Sequence, residues 1–189
     1  HNISVLNEGL LEGMHAAWQL DLKGNLVDGT RYKITFDGSD KAGNKAKFTP
    51  ISNVLYDINP PIVIMEYPLD NGFFNAPKFT YSTNEQLQEA IITIAQVGGP
   101  DDPNSPHIFD IPATYRFEGF YQEVNFEDEI NLVNESSYEI SIVVTDMAKN
   151  TAETIIISNV TFDIIPPLLS VISPLENKFY LDFLLQYNL

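Results

Sequence analysis

From Tyr138 the chain alternates in character. Tyr138, Ile140, Ile142 and Val144 form one series, with Glu139, Ser141 and Thr145 between them. Strand side chains point alternately to opposite faces, so a period of two marks a strand with one face in a core. The same β-rich texture recurs in short runs at 62–67, 78–83, 90–97, 107–111, 115–126 and 153–162. Polar or Gly/Pro-rich stretches separate the runs: "NEQLQ" at 84–88 reads as a turn, and "GGPDDPNSP" at 98–106 as an exposed loop. Seven strands in about 100 residues, with no convincing helix, predict an antiparallel β-sandwich.

The pattern also repeats at long range. A shift of 106 positions aligns 26–46 with 132–152, "ISNVLYDINPP" (51–61) with "ISNVTFDIIPP" (157–167), and "PLDNGFF" (68–74) with "PLENKFY" (174–180). The ungapped overlap of 83 positions holds 25 identities, among them His1 with His107 and Glu12-Gly13 with Glu118-Gly119. Self-similarity at a fixed period is the signature of a tandem array. It also settles an ambiguity. Residues 6–20 could form an amphipathic helix, but their counterpart 112–126 is aromatic-rich and begins with Pro. One fold for both copies favours strand.

The double prolines Pro60-Pro61 and Pro166-Pro167 are the natural joints. Proline fixes φ, removes a ladder donor and holds the preceding residue extended. On that division, 1–60 is the C-terminal part of one repeat, 61–166 a complete repeat, and 167–189 the N-terminal part of the next. The start of the chain reads as the interior of a longer protein.

Two local features refine the sandwich. Leu26, Gly29 and Tyr32, like Leu132 and Tyr138, place a tyrosine at a strand start after an apolar anchor and a turn. In the tyrosine corner the hydroxyl bonds back to upstream backbone. "DKAGN" (40–44) and "DMAKN" (146–150) read as the hairpins before each last strand, with Gly43 supplying positive φ where the second copy has Lys149. These residues, with the joint "NVLYDINPP", resemble the tandem bacterial immunoglobulin-like (Big-type) repeats of giant secreted or cell-surface adhesins and filaments. The resemblance covers nearly the whole chain. It implies immunoglobulin-like antiparallel β-sandwich repeats in tandem, placed outside the cell, acting as stalk or filament. The departures are Lys149 and Glu135, each where the first copy has Gly.

Charge narrows the partners. Ten Lys and Arg against 26 Asp and Glu give −16, which disfavours nucleic acid and anionic membrane surfaces. There is no cysteine, hence no disulfide or thiolate chemistry, and no apolar run long enough to span a membrane. His1, His15 and His107 form no recognisable triad, and Asp101-Asp102 and "FEDE" (126–129) read as loop charges, so no enzyme is expected. Calcium is the open chemistry. In an immunoglobulin-like sandwich, Asp146 and Asn150 of the hairpin share an end with the linker carrying Asp57 and the turn carrying Glu85. These four are candidate calcium ligands. The plainer alternative is that Asp57 and Asp163 cap turns while Asp40 and Asp146 hold hairpins.

Two functions remain. One is a non-enzymatic stalk segment whose partners are neighbouring repeats, or other copies joined head to tail by strand complementation. The other is a carbohydrate- or protein-binding module of a secreted enzyme or phage fibre, which requires an exposed aromatic cluster on 61–166.

Overall fold

The structure, a computed structural model, describes residues 26–126, 130–182 and 184–188. The segment 6–20, His1, His15, Trp18 and the Glu12-Gly13 match lie outside them. The chain divides into two compact units, 1–60 with 147–150 and 61–146 with 151–189. The first contains an antiparallel pair, β1 (Thr30–Ile34) and β2 (Ile51–Tyr56), interrupted by a bulge.

The second unit carries β3 (Val63–Tyr67), β4 (Phe73–Phe74), β5 (Lys78–Thr83), β6 (Leu87–Gly98), β7 (His107–Asp110), β8 (Gly119–Asn125), β9 (Ser137–Asp146) and β10 (Ile155–Phe162). They form a three-stranded sheet ordered β3-β5-β8 and a five-stranded sheet ordered β4-β10-β9-β6-β7. All pairings are antiparallel except β4 with β10. A short hairpin, β11 (Ser170–Ser173) with β12 (Gln186–Asn188), follows. The described chain is thus almost entirely β, and it contains no α-helix.

One core joins the two sheets. Phe79 and Tyr81 enter it from β5, Ile92 and Ile94 from β6, and Tyr138, Ile140, Ile142 and Val144 from β9. The ring of Phe79 meets that of Phe109 on β7, centroids 6.2 Å apart, so the sheets face each other as in a β-sandwich. Burying each such side chain contributes about 1.5–3 kcal/mol.

Two predicted elements differ. Residues 115–118 are not strand: Ala113–Tyr115 forms a single 3-10 turn and β8 begins only at Gly119. Their carbonyls are occupied otherwise. Tyr81 Oη donates to Tyr115 O at 2.6 Å, Leu87 N–H to Arg116 O at 2.8 Å, and Tyr121 Oη to Phe117 O at 2.9 Å. The loop 98–106 is not wholly exposed, for Asp102 within it is buried.

Backbone geometry recurs at the 106-residue spacing. Gly29 N–H donates to Tyr56 O at 2.9 Å, and Glu135 N–H to Phe162 O at 2.7 Å. Asp28 Oδ1 accepts from Ile58 N–H at 2.8 Å, and Asn134 Oδ1 from Ile164 N–H at 2.9 Å. Left-handed φ values pair likewise: Gly29 (69°) with Glu135 (64°), Gly43 (89°) with Lys149 (72°), Asn53 (67°) with Asn159 (54°), and Asn71 (55°) with Asn177 (58°). Glu135 and Lys149 keep the glycine conformation despite a Cβ, at a cost of about 1–2 kcal/mol each.

Candidate functional site

A buried polar cluster lies where the loop 98–106 meets the start of β9. It begins with the corner tyrosines. Tyr32 Oη accepts from Val27 N–H at 2.7 Å and Tyr138 Oη from Val133 N–H at 2.9 Å, five residues upstream in each case. In the second copy the hydroxyl hydrogen is used as well, for Tyr138 Oη donates to Asp102 Oδ2 at 2.8 Å. The same oxygen lies 2.8 Å from His107 Nε2. An ionised carboxylate only accepts, so both partners donate to it. Asn104 N–H donates to Oδ1 at 3.0 Å, which turns the loop back on itself.

The loop is sewn down around this centre. Asp102 N–H donates to Gln96 Oε1 at 2.8 Å, and Gln96 N–H to Ser105 Oγ at 2.8 Å. Pro100 O accepts from Gln96 Nε2 and, at 2.5 Å, from Ser136 Oγ. Gly99 makes the approach possible. It holds φ at 83°, and a Cβ there would sit 2.4 Å from Glu135 O.

Burial opposes ionisation of Asp102 more strongly than any other single influence. The bonds from His107, Tyr138 and the Asn104 N–H together outweigh it and hold the carboxyl below its ordinary value. Burial, aided by that nearby negative charge, pushes the Tyr138 hydroxyl up to about 12. The Asp102 side chain is 0% exposed and that of His107 10%. With every oxygen of Asp102 and the Tyr138 hydroxyl engaged, the cluster's chemistry is to fasten a loop.

In the sequence Asp102 has no special standing and reads as a loop charge. Its partner Tyr138 lies 36 positions away, so no local pattern links them. One signal was available: His107 recurs as His1 one period earlier, alongside the recurring tyrosine.

The candidate calcium ligands fall as follows. In the second unit the carboxylates of Glu85, in the β5–β6 turn, and Asp146, at the end of β9, offer oxygens within 4.8 Å of each other; Asp146 is fully buried. In the first unit Asn150 Nδ2 donates to Asp57 O at 3.2 Å, while Asp57 Oδ1 accepts from Asn59 N–H at 3.2 Å. That last contact is a turn cap, and Asp163 repeats it toward Ile165 N–H at 2.9 Å. Asp40 accepts from Ala42 N–H, Asn44 N–H and Asn44 Nδ2, and the Asn44 bonds hold its carboxyl below the ordinary value. Of the joint prolines, Pro61 is buried, while Pro60, Pro166 and Pro167 are exposed.

The chain matches no protein-family model and no curated protein.

Replacing Asp102 with Asn removes the charge that two buried donors address. A hydrogen bond to a charged group contributes about 1.5–3 kcal/mol, so Asp102→Asn is expected to lower stability by about 2–4 kcal/mol. The carboxyl is depressed in the folded state, so its contribution is present above the ordinary carboxylate range and lost as pH falls through the lower folded value. Thermal melts from pH 7 to pH 2 should therefore show a shallower acid decline in the variant. A variant with the parent's melting temperature and the parent's acid decline contradicts this role.

Proposed function

We propose that this chain is a non-enzymatic stalk segment of a long, repetitive bacterial surface adhesin or extracellular filament, built of immunoglobulin-like sandwiches in tandem. The observation that carries the reading is the recurrence, 106 positions apart, of the same corner bond, the same strand-end bonds and the same left-handed residues. The sheet orders β3-β5-β8 and β4-β10-β9-β6-β7 support an immunoglobulin-like topology. The proline joints and the acidic surface suit a stiff array outside the cell, in which each repeat contacts mainly its neighbours. An antibody raised against residues 61–166 should detect, in the producing cells, a species far larger than the 21.3 kDa of this chain. Protease added to intact cells should remove it. A band of about the chain's own mass that survives such treatment refutes the reading.

A specific feature favours the binding-module alternative. Phe117 and Phe120 are 54% and 55% exposed, and Tyr115 beside them is 38% exposed. Aromatic faces of this kind stack on sugar rings, and Glu118 and Gln122 supply polar neighbours. The module reading expects this chain to bind one sugar class on a glycan array, and Phe120→Ala to abolish the signal. Absence of binding removes it.

We further propose calcium as a stiffening ion, with Glu85 and Asp146 of the second unit as its ligands. Two oxygens each 2.3–2.6 Å from one calcium can stand at most about 5 Å apart, and the carboxylate oxygens of Glu85 and Asp146 lie within 4.8 Å of each other. Added calcium should raise the melting temperature and EDTA reverse it, with Glu85→Gln abolishing the response. An unchanged midpoint excludes the ion.

A further inference from the structure

Asn71-Gly72 is the only Asn-Gly dipeptide in the chain. The pair is chemically labile, because the backbone nitrogen after an asparagine can attack that residue's own side-chain carbonyl carbon. Glycine, with no Cβ, leaves the nitrogen unshielded and the backbone free to turn. The steps need only hydroxide and water. Gly72 N loses its proton to hydroxide and attacks Asn71 Cγ. The new N–Cγ bond closes a five-membered imide as the Cγ–Nδ2 bond breaks, and Nδ2 leaves as ammonia with a proton from water. Water then opens the imide. Opening at Cγ gives aspartate; opening at the backbone carbonyl carbon gives isoaspartate, in which the main chain runs through the side chain. Nothing is oxidised or reduced.

The fold occupies the groups that must move. Gly72 N–H donates to Leu69 O at 3.0 Å, Asn71 N–H to Ser158 O at 2.9 Å, and Thr161 N–H to Gly72 O at 2.9 Å. Asn71 Oδ1 accepts from Asn159 Nδ2 at 3.1 Å, and Asp70 Oδ1 beside it accepts from Ser158 N–H at 2.6 Å. Asn71 and Asn159 are both left-handed, at φ 55° and 54°, a conformation asparagine tolerates. Ring closure swings the Asn71 amide onto Gly72 N and away from Asn159, and it takes the Gly72 proton from Leu69 O. It therefore requires β4 to leave β10. Asn71 is exposed, so hydroxide reaches the site as soon as β4 moves. A Cβ at position 72 would lie 2.8 Å from Leu69 O, so the turn favours the residue that makes the pair labile.

We propose that Asn71-Gly72 is a self-modification site gated by β4: intact while β4 is seated on β10, and converted to isoaspartate or aspartate once β4 lifts away. Isoaspartate adds a methylene to the main chain just before Phe73 and Phe74. Phe74 is buried with its ring 5.3 Å from that of Phe162, so the lengthened chain displaces a core residue from its place. The change is one-way, and it records that β4 has opened. The repeat supplies a comparison within the same molecule: Asn177 holds φ at 58°, yet Lys178 follows it where Gly72 follows Asn71. The chemistry does not rest on the stalk reading.

The test is to age the whole chain at mildly alkaline pH, folded and in denaturant, and to follow each asparagine by peptide mapping with mass spectrometry. Isoaspartate is read separately by enzymatic methylation. In denaturant Asn71 should convert far faster than Asn177. In the folded chain Asn71 should be slower than in denaturant by an order of magnitude or more, since opening a hydrogen-bonded segment costs free energy. Asn159→Gly removes the amide bond yet lets position 159 keep its φ; it should raise the folded rate several-fold and leave the denatured rate unchanged. Asp102→Asn, held below its own melting temperature, should convert at the parent's rate, because it loosens a different part of the unit. Chains carrying isoaspartate at 71 should refold with a lowered melting temperature. Equal rates for Asn71 folded and denatured overturn the gate, as does an Asp102→Asn rate raised as far as that of Asn159→Gly, which would make global unfolding the route. An unchanged melting temperature of the isoaspartate form overturns the one-way change. If Asn159→Gly does not fold, the parent's folded and denatured rates still decide.

Discussion

The hydroxyl of Tyr138 is the point on which the second unit's loops depend. It sits fully buried at the start of β9, accepting from Val133 N–H and donating to Asp102. One oxygen thereby fixes the turn that begins β9 and the loop that ends β6. A buried hydroxyl deprived of either partner would face the desolvation cost without return, about 1–3 kcal/mol. That asymmetry makes the arrangement specific. The loop 98–106 has few apolar residues to hold itself down, and it is held by the bonds of Asp102, Gln96 and Ser136.

The rest of the unit manages its exposed edges by shape. β7 is a four-residue edge ending at Asp110, and β8 carries a left-handed Glu123 (φ 50°) at the register shift opposite β5. Short and bulged edges resist pairing with other chains. Arg116 adds a stitch within the unit: it bonds Gln88 O at 2.8 Å and Ile111 O, tying the 3-10 turn to β6. The same guanidinium reaches Asp110 Oδ1 at 4.0 Å, so the stitch combines hydrogen bonds to carbonyls with a long ion pair.

The left-handed residues tell a similar story. Glu135 and Lys149 occupy positions that glycine fills one period earlier, so the turn geometry persists where its preferred residue has gone. Local preference is outweighed because Glu135 N–H bonds Phe162 O and its own carbonyl lies against Gly99. A substitution that costs about 1–2 kcal/mol locally is tolerated when the strands on either side are fixed by a shared core.

By itself the sequence determined the all-β character and where most strands run. Alternation such as Tyr138, Ile140, Ile142, Val144 depends only on the two-residue period of a strand, and all four of those residues are buried. Tertiary structure alone decided the burial of Asp102, the 3-10 turn at Ala113–Tyr115 and the pairing of β4 with β10. Each joins groups distant along the chain: Asp102 and Tyr138 are 36 positions apart, Tyr81 and Tyr115 are 34, and Asp70 and Ser158 are 88. A single sequence carries no local trace of such contacts. The proximity of Glu85 and Asp146 follows from register for the same reason: Leu87 pairs with Asp146 across β6 and β9, and the turn carrying Glu85 is brought along with it.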